Sequence, residues 1–355
     1  MIKRNRLLTY LLPIQILLVN FLSSYPNFIE NYYSNGIYPY ISSFLRIILG
    51  WIPFSVGDIL LLAAFIYLII SIYRFIKRKP KNYKEAFFSL GSKLAILYFV
   101  FYLFWGMNYY RVPLHKSMQL TIPEYNIEEL TVLTEKLLVR TQEIHFKLTK
   151  NDTIPVQTVL TQSELLDRTV NGYDNLAKMY PQFIYSHPKV KKSLFSTPMS
   201  YMGFGGYLNP LTGESQVNYN LLDFNIPSTA SHEVAHQIGY ASESEANFIG
   251  YLAAVHNNDL LFKYSANLMA LQYALGNIYR NDKELYKEIK GRLPIGVKKN
   301  IIENYKRWGK YKNPIEPYFK EFYGLYLKAN HQKHGIKSYG RMLGLLMAYE
   351  NKKNS

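Results

Sequence analysis

The stretch Thr229-Ala-Ser-His-Glu-Val-Ala-His-Gln-Ile238 contains the pattern His-Glu-x-x-His. On a helix, His232 and His236 lie one turn apart and point the same way, so their imidazoles can bind one metal ion. Glu233 projects from the same helix, where it can take a proton from a water that the metal activates. Because three protein ligands and one open position are the catalytic arrangement of zinc, the pattern predicts a Zn²⁺ site with Glu233 as its catalytic base.

An alternative interpretation of this stretch is an ordinary helix with two core-facing histidines and a solvated glutamate. The residues around the motif are uncharged: Thr229, Ala230, Val234, Ala235, Gln237 and Ile238. Two buried imidazoles and a carboxylate on such a helix would be unfavourable without a common partner. The flanking residues therefore favour the metal site.

A third ligand is expected beyond Gly239, a residue type that commonly ends helices. A second helix begins at Ser242 and offers two carboxylates. Glu243 shares its helix face with small residues, so a neighbouring helix can pack close to it, whereas Glu245 points elsewhere. Ser242 and Glu245 also have the spacing of a capping box, which gives Glu245 a structural role. Glu243 is the preferred ligand, Glu245 stays the alternative, and Asn247 is a candidate to support the ligand from one turn away.

These residues resemble the gluzincin class of zinc metallopeptidases, in which His-Glu-x-x-His is followed by a glutamate ligand and, four residues later, by Asp or Asn. The resemblance implies that Glu243 is the third ligand and that Asn247 is its follower. The 6 residues between His236 and Glu243 are a short gap for that class. Gly239 also fits the metzincin pattern, but Ser242 stands where a metzincin has its third histidine, which argues against that class.

The chain as a whole resembles an uncharacterised family of bacterial membrane-anchored proteins, with N-terminal spans and a gluzincin-like motif outside the membrane. The matching stretches lie across most of the chain: Trp105–Arg111, Gly203–Glu214, the metal segment and Ser338–Arg341. The resemblance implies a zinc metallopeptidase site and names no substrate.

Apolar residues are concentrated near the N-terminus of this 355-residue chain, which is 48% hydrophobic, has a formal net charge of +16 and contains no cysteine. Three runs approach the roughly 20 residues that a spanning helix needs: Leu7 to Ser23, Val56 to Ile76 and Phe87 to Trp105. The first is interpreted as an uncleaved span rather than a signal peptide, because no small-x-small cleavage site follows it. The shorter stretch Ile41 to Trp51 either lies at the interface or begins the second span.

Basic residues predict the orientation of these spans. Lys3, Arg4 and Arg6 precede the first run, and a basic cluster from Arg74 to Lys84 separates the second from the third. Positively charged loops stay in the cytoplasm. The sequence therefore predicts a multi-pass protein of the cytoplasmic membrane: a three-span region over 1–107, a linker over 108–123, and an extracytoplasmic zincin-like metallopeptidase domain over 124–355. The lack of cysteine is compatible with an outside location.

The expected fold is an α-helical membrane anchor followed by a mainly helical, α+β zincin-like domain with a small sheet. Helical spacing predicts helices at Ile127–Leu148 and Ser163–Tyr180. Five more are predicted after the metal segment: Asp259–Tyr279, Lys283–Lys290, Val297–Trp308, Pro317–Ala329 and Tyr339–Tyr349. Residues 214–220 alternate as a short strand, which is interpreted either as an edge that pairs with an extended substrate or as part of a plain hairpin.

Further contacts are expected from charge and residue type. The basic stretch Arg280–Lys312 is either a solvated face or a contact for anionic lipid head groups or anionic envelope polymers. Nucleic acid is not an expected partner, because the sequence has no nucleic-acid-binding motif. Tyr339 and His334 are candidates to stabilise the oxyanion that forms when water attacks a carbonyl.

These patterns together predict a membrane-anchored zinc-dependent peptidase that hydrolyses a peptide or protein substrate outside the cytoplasmic membrane. The alternative is a non-catalytic membrane protein whose structural metal site only joins two helices, and such a site usually has four protein ligands. An intramembrane protease is set aside, because no run of about 20 apolar residues surrounds His232. A transporter is not favoured, because the three spans carry few charges from which to build a pathway.

Overall fold

The computed structural model describes residues 2–78, 82–330 and 339–354. The contacts between residues divide the chain into two compact units. The first comprises Met1–Val112 together with Asn209–Glu214, and the second comprises Pro113–Leu208 together with Ser215–Ser355. The helices of the first unit are α1 (Ile2–Ser23), α2 (Pro26–Phe28), a π-helix (Ile29–Ile37), α3 (Tyr38–Gly50), α4 (Val56–Arg78), α5 (Tyr83–Phe104) and a 3₁₀ turn (Gly106–Tyr110).

Three helices of the first unit are long and apolar enough to cross a membrane: Lys3–Ser23, Val56–Lys77 and Tyr83–Phe104. They correspond to the three predicted runs and support membrane association. The apolar stretch Ile41 to Trp51 forms most of the separate helix α3, which ends before α4 begins at Val56. The alternative that this stretch begins the second span is therefore wrong.

Ionic contacts also hold the first unit together. The Arg111 guanidinium donates from Nη2 to Glu30 Oε1 at 2.7 Å and from Nε to Glu30 Oε2 at 3.1 Å. Glu214, at the end of the turn that clusters with this unit, accepts from the Gly57 amide at 2.6 Å. Gly57 lies in the first turn of α4, where the helix dipole favours a carboxylate.

The second unit is mainly helical. Its helices are α6 (Leu114–Ser117), α7 (Ile127–Thr149), α8 (Gln162–Met179), a 3₁₀ turn (Pro181–Phe183), α9 (Ser196–Met202), a 3₁₀ turn (Asp223–Asn225), α10 (Ile226–Gln237), α11 (Glu243–His256), α12 (Leu260–Asn281), α13 (Lys283–Gly291), α14 (Ile295–Gly309), α15 (Glu316–Ala329) and α16 (Tyr339–Asn354). The seven helices predicted outside the metal segment are all present, with ends that differ from the predicted ones by at most five residues.

Local capping explains where two of these helices begin. Asn126 and Glu129 form a capping box at the start of α7. Thr161 and Glu164 do the same for α8, so this helix begins at Gln162 rather than at Ser163. Glu164 completes this box by accepting from the Thr161 amide at 2.7 Å.

A three-stranded sheet lies beside the metal helix α10. Its strands are β1 (Val190–Lys192), β2 (Gly206–Leu208) and β3 (Ser215–Val217), in the order β1-β3-β2. β3 pairs parallel with β1 and antiparallel with β2. The interpretation of residues 214–220 as a substrate-pairing edge is therefore wrong, because β3 is the central strand and both of its sides are already paired.

The division between the two units falls inside the predicted linker 108–123, at Val112 and Pro113. Asn108 is buried in the first unit, and Leu114, Met118 and Leu120 are buried in the second. The predicted linker therefore contains buried residues both before and after the division, and each part belongs to its own unit.

Candidate metal centre

The helix α10 is buried along almost its whole length and ends at a glycine turn. Gly239 has a φ of +95°, which glycine adopts without strain, and the Tyr240 amide donates to Ala235 O at 3.0 Å to close the turn. The predicted end of the helix at Gly239 is thus confirmed. The turn also brings the Tyr240 carbonyl within 2.7 Å of His236 Nδ1.

That contact determines which nitrogen of His236 is free for a metal. A carbonyl oxygen can only accept, so Nδ1 must be the protonated, donating nitrogen. Nε2 of the neutral imidazole then carries the lone pair, and the hydrogen bond to Tyr240 fixes the orientation of the ring. His236 is therefore prepared to bind a metal through Nε2.

Three side chains converge where the sequence predicts a metal site. Glu243 Oε2 lies 3.4 Å from His232 Nε2, and Glu243 Oε1 lies 3.6 Å from His236 Nε2. Ligand atoms of all three residues lie within 4.8 Å of one another. Atoms bonded to one zinc ion at about 2.0–2.2 Å in a tetrahedron are about 3.3–3.6 Å apart. The donor set and its spacing therefore fit zinc.

Close packing between α10 and α11 brings Glu243 to the histidines. A Cβ added at Gly250 would lie 2.7 Å from the His232 amide nitrogen and 2.9 Å from His232 Cα. Gly250 and Glu243 are seven residues apart and share one helix face. The expectation that a small face of α11 admits a neighbouring helix is confirmed.

Glu245, the alternative ligand, has a different partner. Its Oε1 accepts from the buried Leu114 amide at 2.7 Å. Ser242 makes no side-chain capping bond at the start of α11, so the predicted capping box of Ser242 and Glu245 is wrong. Glu245 therefore has a structural contact, but its partner is Leu114 in α6 and not Ser242.

Glu233 lies buried beside the triad. Its Oε2 atom has no hydrogen-bond partner among the described residues. A Cβ at Gly206 would lie 2.5 Å from Glu233 Oε1, so only glycine at this place in β2 leaves room for the carboxylate. Burial raises the pKa of Glu233 to about 7, although the charges of His232 and His236 oppose the shift. A carboxylate with such a pKa can both take and release a proton near neutral pH.

The electrostatics of the triad favour a cation. Burial alone would raise the pKa of the Glu243 carboxyl, but the two imidazoles hold it well below its ordinary value. Burial alone would lower the pKa of His236, but the Glu243 carboxylate raises it to about 9. The cluster therefore attracts positive charge, and protons compete with a metal ion for it.

The structure adds one residue that sequence reasoning missed. The Tyr323 hydroxyl on α15 donates to Glu243 Oε1 at 2.6 Å, and its ring contacts the Phe204 ring at a centroid distance of 5.3 Å. Tyr323 is one of 33 tyrosines and has no distinctive spacing, so the sequence offers no signal that selects it.

The remaining predicted residues are placed as follows. Asn247 is buried on α11, and its Oδ1 lies 3.5 Å from the Tyr273 hydroxyl; support of the ligand Glu243 stays a prediction. Tyr339 begins α16, but its side chain lies outside the described residues, as does all of His334. Their oxyanion roles also stay predictions.

Comparison with known protein families shows which family the chain belongs to. No curated protein and no solved structure matches the chain. A family described as "Protein of unknown function (DUF3810)" matches residues 33–347, which include α3 to α5, the sheet and the whole metal triad. Because the match covers most of its length, the chain belongs to the DUF3810 family.

Proposed function

We propose that the chain is a membrane-anchored, zinc-dependent peptidase that hydrolyses peptide bonds on the extracytoplasmic side of the membrane. The observation that carries this proposal is the position of Glu233. Its buried carboxylate oxygen lacks a partner among the described residues, and it projects from the helix that holds His232 and His236. Burying an unpartnered carboxylate is unfavourable, and such groups are common where a protein binds or transfers something.

The number of ligands favours catalysis over a structural role. The only group of three or more metal-binding side chains within the described ranges consists of His232, His236 and Glu243. Structural zinc sites usually have four protein ligands, whereas catalytic sites have three and an open position. The side chains of His232 and Glu243 are also 15% and 18% exposed, so the site is not completely closed to solvent.

The chemistry follows from the groups in place. Zinc, when bound, supplies a Lewis acid that polarises a carbonyl and makes water nucleophilic. His232, His236 and Glu243 would hold it. Glu233 takes one proton from the attacking water and gives it to the nitrogen of the departing amine, so the carboxylate is regenerated. The hydrogen bond from Tyr323 orients Glu243 in this arrangement.

The extracytoplasmic location in the proposal rests on the basic residues near the spans. Lysine and arginine are concentrated before the first span and between the second and third, and such loops stay in the cytoplasm. With three spans, the chain that follows α5 would then lie outside. A peptide or protein of the cell envelope is the substrate class that this location makes accessible.

The test compares two variants of the full-length protein in detergent or nanodiscs. Glu233→Gln should keep bound zinc and lose peptide hydrolysis by about 10²-fold or more, because it removes the proton carrier and leaves the ligands intact. Glu243→Gln should lose zinc as well as hydrolysis. The readouts are metal content by mass spectrometry and cleavage of a mixed peptide library, with a chelator as control. Wild-type hydrolysis by the Glu233→Gln protein would refute the assignment, and zinc bound without any hydrolysis by the wild type would favour a structural site.

A further inference from the structure

The helix α15 and the residue before it present an apolar stripe to solvent. Ile315, Tyr318, Phe322 and Leu325 are 59%, 71%, 73% and 58% exposed, and Phe319 is 41% exposed. Their spacing of three or four residues places them on one face of the helix. Contiguous exposed apolar faces of this kind mark sites of interaction with proteins or membranes.

The opposite side of α15 packs against the second unit. The Tyr323 hydroxyl contacts Glu243 and its ring contacts Phe204, while Leu327, one turn later, is buried. Because Tyr323 is on the packed side, the exposed stripe points away from the metal ligands. A substrate groove would have to face those ligands, so the stripe does not serve as one.

Charge distinguishes between the two kinds of partner that remain, a second copy of the chain and a membrane surface. Residues 298–328, which cover most of α14 and all but the last residue of α15, contain eight Lys or Arg and three Glu. Two copies of the chain that met through this surface would bring like charges together. An anionic bilayer surface has the opposite charge and attracts such a segment. The protein also has three helices long enough to cross a membrane, so a bilayer belongs to its surroundings.

We propose that α15 is an interfacial helix whose stripe, Ile315, Tyr318, Phe319, Phe322 and Leu325, inserts into the head-group region of an anionic bilayer. Aromatic and aliphatic side chains on one face, with lysines beside them, are the composition of helices that lie in this region. Exposed lysines such as Lys312 and Lys328 would contact lipid phosphates. The contact does not depend on the chemistry of the metal site.

The absence of native cysteine allows a direct test in the full-length protein. Single cysteines replace Tyr318, Phe322 or Leu325 and carry an environment-sensitive fluorophore. The labelled proteins are placed, one copy per disc, in nanodiscs of phosphatidylcholine and phosphatidylglycerol, with or without brominated acyl chains. Controls are Val159→Cys, at a fully exposed loop position, and Gly324→Cys, on the side of α15 away from the stripe, where an added Cβ meets nothing within 4 Å.

Brominated lipid should quench the three stripe positions by about twofold and leave both controls unchanged, because the apolar face of an interfacial helix lies roughly 5–10 Å into the bilayer. The stripe signal should weaken when phosphatidylglycerol is left out. Equal quenching at the stripe and at Val159 would overturn the proposal, since it would show general contact without an oriented helix. Absence of quenching would also overturn it. Stripe labels that become shielded only when two copies share a disc would assign the face to self-association instead.

Discussion

A single methyl group added at Gly250 should weaken zinc binding although no ligand is replaced. In Gly250→Ala, the added Cβ would lie 2.7 Å from the His232 amide nitrogen and 2.9 Å from His232 Cα. Ordinary van der Waals contact begins at 3.4 Å, so the two helices must separate by about 0.7 Å, the difference between 3.4 Å and 2.7 Å. The atoms in the way are backbone, and they cannot rotate aside.

This displacement is large on the scale of a metal site. Distances between metal and ligands are held within about 0.2 Å, and Glu243 moves with Gly250 because both lie on α11. We expect zinc affinity to fall by about 10- to 100-fold, the range seen when groups that orient ligands are lost. Overpacking should also lower the free energy of unfolding by about 1–3 kcal/mol. The higher helix propensity of alanine relative to glycine offsets about 1 kcal/mol of that loss.

The matched control is Gly276→Ala on the neighbouring helix α12, where an added Cβ meets nothing within 4 Å. That variant should bind zinc as the wild type does and be more stable by up to about 1 kcal/mol. Zinc affinity is measured by competition with a chromophoric chelator, and stability by thermal unfolding with and without zinc. If Gly250→Ala binds zinc with wild-type affinity, the close packing of α10 on α11 does not position the ligands and the reasoning fails.

Two further predictions concern carboxylates with named partners. Glu243→Ala should abolish zinc binding, whereas Glu245→Ala should keep it and lower the free energy of unfolding by about 1–3 kcal/mol, since the buried Leu114 amide loses its acceptor; the reverse pattern in metal content would make Glu245 the ligand. Glu350 forms two hydrogen bonds with Arg140. Burial alone would raise the pKa of Glu350, but Arg140 holds it below its ordinary value of 4.5. The pair therefore stabilises the fold above that pH, and the contribution is lost as the pH falls through the lowered pKa. The wild type should unfold at a higher temperature than Glu350→Gln near pH 7, and this difference should narrow as the pH falls below 4.5. A gap that is independent of pH would contradict the ionic origin.

The parts of the site that follow from local geometry could be predicted from the sequence. Residues four apart on a helix have a fixed relation, so His232 and His236 needed no tertiary information. The small residues on one face of α11 predict the close approach of α10, and the contact at Gly250 confirms that approach; Glu243 as the metal ligand stays a prediction. The end of a helix is also determined by nearby residues, as the turn at Gly239 illustrates.

Contacts between distant parts of the chain could not be predicted. Tyr323 is 80 residues from Glu243 in sequence, and Leu114 is 131 residues from Glu245. The central position of β3 depends on β1, which pairs with it from more than 20 residues away. Periodicity identifies a strand or a buried face but does not identify its partner, which is why the predicted capping box and the predicted substrate edge are wrong.

One helix connects the two proposals. On α15, Tyr323 faces the metal ligands and the stripe around Phe322 faces outward, and adjacent helical residues differ in direction by about 100°. A bilayer that holds the stripe therefore also restricts the rotation of α15 and keeps the Tyr323 hydroxyl near Glu243. The tyrosine is only half-buried, so packing within the protein alone leaves it more freedom than a core residue has. Attachment to the membrane would then contribute to the order of the metal site as well as to its location.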